Sequence, residues 1–258
     1  MTGSKLKIEN RRKRILELLR SCGRVTVAQL SDALQVTTVT IRNDLAALEA
    51  EGCLLRVQGG AISLPNGTAE QANGEGFDAF AGYKRAIGDA VAKLVRDGDT
   101  LFINSGTTSE HIAEALSSRK NLNVLTNSLQ VAAKLGAVPT FRVLLVGGEI
   151  NAQYLFTHGG DAQEQLGKYQ ADWAILSVDG ISAWGGVTTH HAEEAVIDRM
   201  MAAGAKRIVI AADQRKIGRA GFSRVYTCDS DLMLVTNRGC DTQAIEEIAE
   251  SGVQEIYT

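Results

Sequence analysis

Two short segments of helical periodicity, separated by two residues, constrain this chain more than any other feature. In Val27–Leu34, Val27, Leu30 and Leu34 recur at three- and four-residue steps and share one helical face. Gln35 and Val36 follow, and then a second segment sets Ile41, Leu45 and Leu48 at i, i+4 and i+7. Helices joined this closely make a helix–turn–helix. A longer helix, Ile8 to Ser21, precedes them with Ile8, Ile15, Leu18 and Leu19 inward, and it carries the basic run Arg11-Arg12-Lys13-Arg14. Thr37 is placed to cap the second helix, because its hydroxyl can accept from a free first-turn N–H. Gly52 reads as that helix's stop. Leu54 to Ile62 reads as a small β-wing.

The second helix has the composition of a major-groove reader. Its apolar face docks on the protein, and Thr40, Asn43 and Ala47 are expected on roughly the opposite side. An ordinary amphipathic surface helix fits that stretch taken alone; the flanking elements favour DNA. The expected base readers are Thr38, Thr40 and Asn43. The expected phosphate contacts are Arg11, Arg12, Arg42, Arg56 and the N-terminus capped by Thr37. Charge distribution agrees. Residues 1–64 hold ten Lys/Arg against six Asp/Glu, a net of +4, while the remainder carries 17 against 24, a net of −7. A basic module binds phosphate, and an acidic body limits non-specific adhesion.

Thr40-Ile41-Arg42-Asn43-Asp44-Leu45, then Leu48-Glu49, Gly52 and Arg56-Val57-Gln58-Gly59-Gly60-Ala61, resemble the N-terminal motif of the DeoR family of bacterial transcription regulators. The common family form has Arg where Asn43 stands. Some amino-sugar regulators of the family carry Asn there, so the chain resembles that branch.

After a linker placed at 63–82, rich in Gly and low in periodicity, helices alternate with short apolar strands from Tyr83 onward. The strands are Thr100–Ile103, Asn123–Thr126, Phe141–Val146, Trp173–Val178, Arg207–Ala211, Leu232–Thr236 and Val253–Tyr257. That order implies a mostly parallel, Rossmann-like sheet, whose ligands sit beyond the carboxyl ends of its strands. The expected organisation is thus a winged helix–turn–helix domain over 1–62 and an α/β domain over 83–258.

The strand-end loops carry suitable chemistry. Ser105-Gly106-Thr107-Thr108 opens a helix after a strand, and combines hydroxyls, close backbone approach and free N–H groups for an anion. As a capped turn alone it is equally well explained. Asn127, Gly147, Gly148, Asp179 and Lys216 end other strands; Asp179 suits sugar hydroxyls and Lys216 a phosphate, although an Asx-turn and a solvated charge explain each as well alone. His191 or Glu194 is expected at the pocket rim. His190 and His191 lack a third ligand, so no metal is expected.

Lys84-Arg85-Ala86-Ile87-Gly88, Ser105–Thr108, Leu125-Thr126-Asn127-Ser128, Asp179-Gly180-Ile181, Gly186-Val187-Thr188-Thr189 and Lys216-Ile217-Gly218-Arg219 resemble the DeoR-family effector domain, in family order. The resemblance spans nearly the full chain. It implies a fold similar to ribose-5-phosphate isomerase, a phosphorylated sugar as effector and a homo-oligomer on operator DNA. Asn104 departs from the family's usual Asp. Isomerases of that fold carry a Lys just before a Gly-rich loop, where this chain has Ala183-Trp184 before Gly185-Gly186. A binding pocket without catalysis is therefore expected, with an isomerase-like enzyme as the alternative.

A pure interaction protein accounts for the basic module but not for the polar strand ends. Kinase and dehydrogenase readings fail for want of Gly-x4-Gly-Lys and of Gly-x-Gly-x2-Gly after a strand. Cys22, Cys53, Cys228 and Cys240 form no close pair, and no apolar run approaches membrane-spanning length, so a reduced, cytoplasmic protein without cofactor is expected.

Overall fold

A computed structural model describes residues 8, 11–16, 18–19, 24–50, 53–57, 59–62, 80–152 and 154–257. They fall into two compact units, Met1–Asp78 and Ala79–Thr258. Gly52 and most of the expected linker, 63–79, lie outside the described residues.

In the first unit residues 11–16 and 18–19 are helical. There follow β1 (Arg24–Thr26), α1 (Val27–Leu34), α2 (Thr38–Ala50), β2 (Leu55–Val57) and β3 (Gly60–Ile62). The expected β-wing joins β1 in a three-stranded antiparallel sheet, ordered β1-β3-β2. A Cβ on Gly60 would stand 2.1 Å from the Val25 carbonyl oxygen, so β3 needs glycine there to lie against β1. Thr26 starts α1 through a capping box: its Oγ1 accepts from Gln29 N–H, and Gln29 Oε1 accepts from Thr26 N–H. Gln35, at φ 51°, turns the chain out of α1. Ile15, Leu19, Leu30, Ile41, Leu45 and Leu48 close one core, so the apolar periodicity did mark the inward faces.

The second unit is a seven-stranded parallel sheet between two layers of helices. Its strand order is β15-β14-β12-β9-β4-β5-β6, with β4 (Thr100–Ile103), β5 (Asn123–Thr126), β6 (Arg142–Leu145), β9 (Ala171–Ser177), β12 (Ala205–Ala211), β14 (Leu232–Thr236) and β15 (Gln254–Tyr257). One face packs on α3 (Ala81–Leu94), α4 (Thr107–Leu116) and α5 (Leu129–Gly136) through Ile87, Val91, Ile112 and Leu135. The other packs on α6 (Gly160–Leu166), α7 (Ala192–Ala203) and α8 (Thr242–Glu250) through Leu166, Ile197, Met201 and Ile248. Ala81 and Gly82, expected in the linker, begin α3.

Chain order reverses between β4 and β9, which makes a switch point with the loops after Ile103 and Ser177 on its two sides. Two smaller sheets were not foreseen. They are the hairpin β7 (Glu149–Asn151) and β8 (Phe156–His158), and the antiparallel set β10 (Gly180–Ser182), β11 (Gly186–Thr189) and β13 (Ser223–Tyr226). Thr188 and Thr189 are buried residues of β11, a strand absent from the sequence reading. Among the described residues no helix is long and apolar enough to cross a membrane.

Candidate functional site

The outward face of α2 is the first candidate. Ile41, Leu45 and Leu48 are buried, which turns Thr38, Val39, Arg42 and Asn43 outward. Thr37 caps the helix, its Oγ1 accepting from Thr40 N–H at 3.2 Å. Thr40 is half-buried, with its hydroxyl 2.9 Å from that of Thr37. The exposed face is therefore rotated from the one expected: Val39 stands nearer its middle than Thr40 does, and Ala47 is half-buried.

Arg11 and Arg12 converge on a buried acid of the same helix. Arg11 Nε donates to Asp44 Oδ2 at 2.6 Å and Nη2 to Oδ1 at 3.2 Å; Arg12 Nε donates to Oδ1 at 3.3 Å. Asp44's hydrogen bond and charge hold the Arg11 guanidinium above its ordinary pKa. These arginines clamp the first helix to α2, a role the sequence did not suggest. Arg42 is exposed. Arg56, on the wing, lies 3.7 Å from Glu49 and remains half-open to solvent.

The second candidate lies at the switch point. Gly106 adopts φ 129°, and a Cβ there would stand 2.3 Å from Ser177 Oγ, so the loop needs glycine to turn into α4. No side chain caps α4. At its first residue the ammonium of Lys84, a side chain 2 % exposed, donates to Thr107 Oγ1 at 2.7 Å. A buried cation and a helix N-terminus thus meet at one point, and both favour an anion. Lys84 was missed because a lone lysine reads as a solvated charge.

Ser105 donates to Glu194 Oε1 at 2.8 Å, and Thr189 donates to Glu194 Oε2 at 2.6 Å and to Asp179 Oδ2 at 3.1 Å. Asp179 also accepts from His190 N–H at 2.9 Å and from Lys216 Nζ at 3.2 Å. The structure therefore gathers Ser105, Asp179 and Lys216 into one network, joined by Glu194. Burial pushes Asp179 up, but Lys216 and the His190 N–H outweigh it, and its pKa lies below the ordinary value. Burial pushes Glu194 above the ordinary range despite two hydroxyl donors.

Behind Glu194 lies Asp198, fully buried. Its Oδ1 accepts from Asn104 Nδ2 at 3.1 Å, and its Oδ2 has no partner among the described residues. Burial and the neighbouring Glu194 raise its pKa well above the usual carboxylate value. The folded protein thus holds a proton that the unfolded chain releases near pH 4. Asp198 weakens the fold as pH rises from there to its raised pKa, and the loss persists above it. Asp198→Asn should leave the second unit's melting temperature unchanged near pH 4. At pH 8 it should raise it by roughly 3 °C, the shift of about 1 kcal/mol in a domain of this size. Calorimetry at both values checks this; a variant less stable at pH 8 would show that the charge is needed.

The other expected residues flank this network. Thr108 is buried in α4. Asn127 is buried after β5, donating to the Thr157 carbonyl at 3.2 Å, and its Oδ1 is unpartnered among the described residues. Gly147 N–H donates to Gln165 Oε1, and Gly148 takes φ 142° against the His158 carbonyl. His191 opens α7 without capping it and packs on Tyr154, ring centroids 4.6 Å apart. A separate cleft of about 430 Å³, lined by Trp184, Arg215, Arg219 and Gln243, includes none of these residues. Among the described residues no group of His, Cys, Asp or Glu is arranged to hold a metal.

Residues 11–66 match the DeoR-like helix-turn-helix domain, and residues 80–238 match the DeoR C terminal sensor domain. The chain is 32 % identical over 248 residues to a putative aga operon transcriptional repressor of Escherichia coli O157:H7, covering 95 % of this chain and 92 % of that one. It is 30 % identical over 250 residues to the transcriptional repressor GlcR of Bacillus subtilis, covering 97 % and 96 %. A solved ribose 5-phosphate isomerase from Methanocaldococcus jannaschii overlaps 54 % of this chain and 55 % of its own, at 14 % identity and a TM-score of 0.41. The motif at α2, the sensor sheet and both domain matches agree: the chain belongs to the DeoR family, as a DNA-binding transcriptional regulator with an N-terminal helix–turn–helix and a C-terminal sensor domain.

Proposed function

We propose that the protein represses carbohydrate-catabolic genes and leaves its operator when a phosphorylated sugar binds the sensor domain. The observation that carries the effector half is the Lys84 ammonium buried at the uncapped start of α4. The phosphate seats on the first-turn N–H groups of α4, with Gly106, Thr107 and Thr108 around it. The sugar hydroxyls extend toward the Asp179, Glu194 and Lys216 network, with Asn127, Gly147, Gly148 and His191 on the flanks. Repression and the amino-sugar branch draw support from the relative named as an aga operon repressor.

Pairs of N-terminal modules, brought together by a homo-oligomer of the sensor domain, bind repeated half-sites. Thr38 and Asn43 read bases, Arg42 and Arg56 hold phosphates, and Thr37 and Thr40 shape the helix start between them. Arg11 and Arg12 reach DNA with whatever donors Asp44 leaves them. By linkage, DNA weakens effector binding by the factor by which effector weakens DNA binding.

An isomerase with an appended DNA module is the second reading, since Asp179, Glu194 and Lys216 do meet. Against turnover, Trp184 stands where the enzymes carry a Lys and is 72 % exposed. Glu194 has both oxygens engaged by Ser105 and Thr189, which leaves a poor general base.

Two substitutions test the DNA half. Asn43→Ala should flatten preference among operator variants, by about 1–3 kcal/mol at the affected base pair. Arg42→Ala should weaken binding to all sequences alike and reduce the slope of log K against log salt by about 1. Anisotropy titrations over a salt series measure both. An Asn43→Ala protein with unaltered preference would remove Asn43 from the reading face.

A further inference from the structure

We propose that Val39 fixes operator sequence by packing on the 5-methyl group of a thymine in each half-site. This rests on the DNA-recognition reading of α2. Val39 is 60 % exposed, and it is the one exposed large apolar side chain among the described residues of the first unit. The core beneath has no place for it, because that core is closed by Ile41, Leu45 and Leu48.

At about 100° per residue, Val39 points roughly 180° from Leu48, and Val39, Asn43 and Ala46 fall within about 60° of arc. Arg42 borders them on one side. The middle of the outward face is thus one apolar side chain beside an amide and a guanidinium. Val39 is also the second residue of the helix, and in helix–turn–helix docking the N-terminal residues of the recognition helix meet base edges.

In the major groove each base pair offers donors and acceptors, and thymine alone adds a methyl group. An isopropyl side chain makes no hydrogen bond, so the methyl is the feature it can distinguish. Asn43, on the same face, suits an adjacent adenine. A β-branched side chain has few rotamers, so the contact would cost little ordering on binding.

The test begins with the full-length protein and a fragment it selects from random duplex DNA. Each thymine of that fragment is then replaced singly by deoxyuridine, which removes the methyl and keeps every hydrogen-bonding group. One thymine per half-site should prove sensitive, its replacement weakening binding about fourfold, as expected for one buried methyl group. Val39→Ala should weaken binding to thymine DNA by a similar factor and then be indifferent to deoxyuridine there. Unfolding of Val39→Ala should match the parent, since the side chain is exposed. Indifference of the parent protein to every replacement would overturn the proposal, as would a Val39→Ala protein with the same sensitivity. Failure to select any sequence would overturn the DNA reading, and this proposal with it.

Discussion

Asp44→Ala should lower the melting temperature of the N-terminal unit by on the order of 10 °C and abolish specific DNA binding. Asp44 is 3 % exposed and accepts three hydrogen bonds from Arg11 and Arg12. A hydrogen bond to a charged group contributes about 1.5–3 kcal/mol, and in a unit this small each kcal/mol shifts the midpoint by roughly 4–8 °C. The arginines are partly open, so water recovers some of that loss. DNA binding suffers more than stability does. Without Asp44 only the apolar contacts of Ile15 and Leu19 hold the first helix against α2, and the outward face loses the polar clamp that fixes its orientation. Asp44→Asn, which keeps an acceptor, should fall between. An Asp44→Ala protein with unchanged melting would mean that the apolar core alone sets the helix packing.

Lys84→Met should raise the effector concentration needed for half-release of DNA by tenfold or more, with DNA affinity in its absence within about twofold. Methionine keeps length and fills the buried volume, so the charge is the main thing removed. One charge-assisted hydrogen bond of about 1.5–3 kcal/mol corresponds to roughly 10- to 150-fold in affinity. Anisotropy with the parent's best sugar phosphate measures the shift. Unchanged release would place the phosphate away from α4.

What was legible in the sequence depended on distance along the chain. Ile41, Leu45 and Leu48 disclosed the buried face of α2 because a helix puts i, i+4 and i+7 together. The central strands β4, β5, β9, β12 and β14 were legible as apolar runs, since both their faces are covered. Thr37 showed as a cap because its partner is three residues away. The role of Asp44 was not legible because its partners lie 33 and 32 residues away. Lys84 meets Thr107 across 23 residues, and Glu194 meets Ser105 across 89. Strands β10 and β11 hid behind hydroxyl groups: Ser182, Thr188 and Thr189 are buried because partners satisfy their polar atoms, and composition does not reveal those partners. At the strand ends the residue types were readable but their division of labour was not. Ser105 donates to a carboxylate, and a lysine from α3 reaches the start of α4.

The most direct test of the switch is fluorescence anisotropy of labelled DNA from the gene's own upstream region, at fixed salt with competitor DNA, followed by titration with sugar phosphates and the same sugars without phosphate. Specific binding released by one phosphate ester, and not by its unphosphorylated sugar, is the expected result. Specific binding that persists through every ester would contradict a sugar-phosphate sensor, and the regulator would answer to another signal.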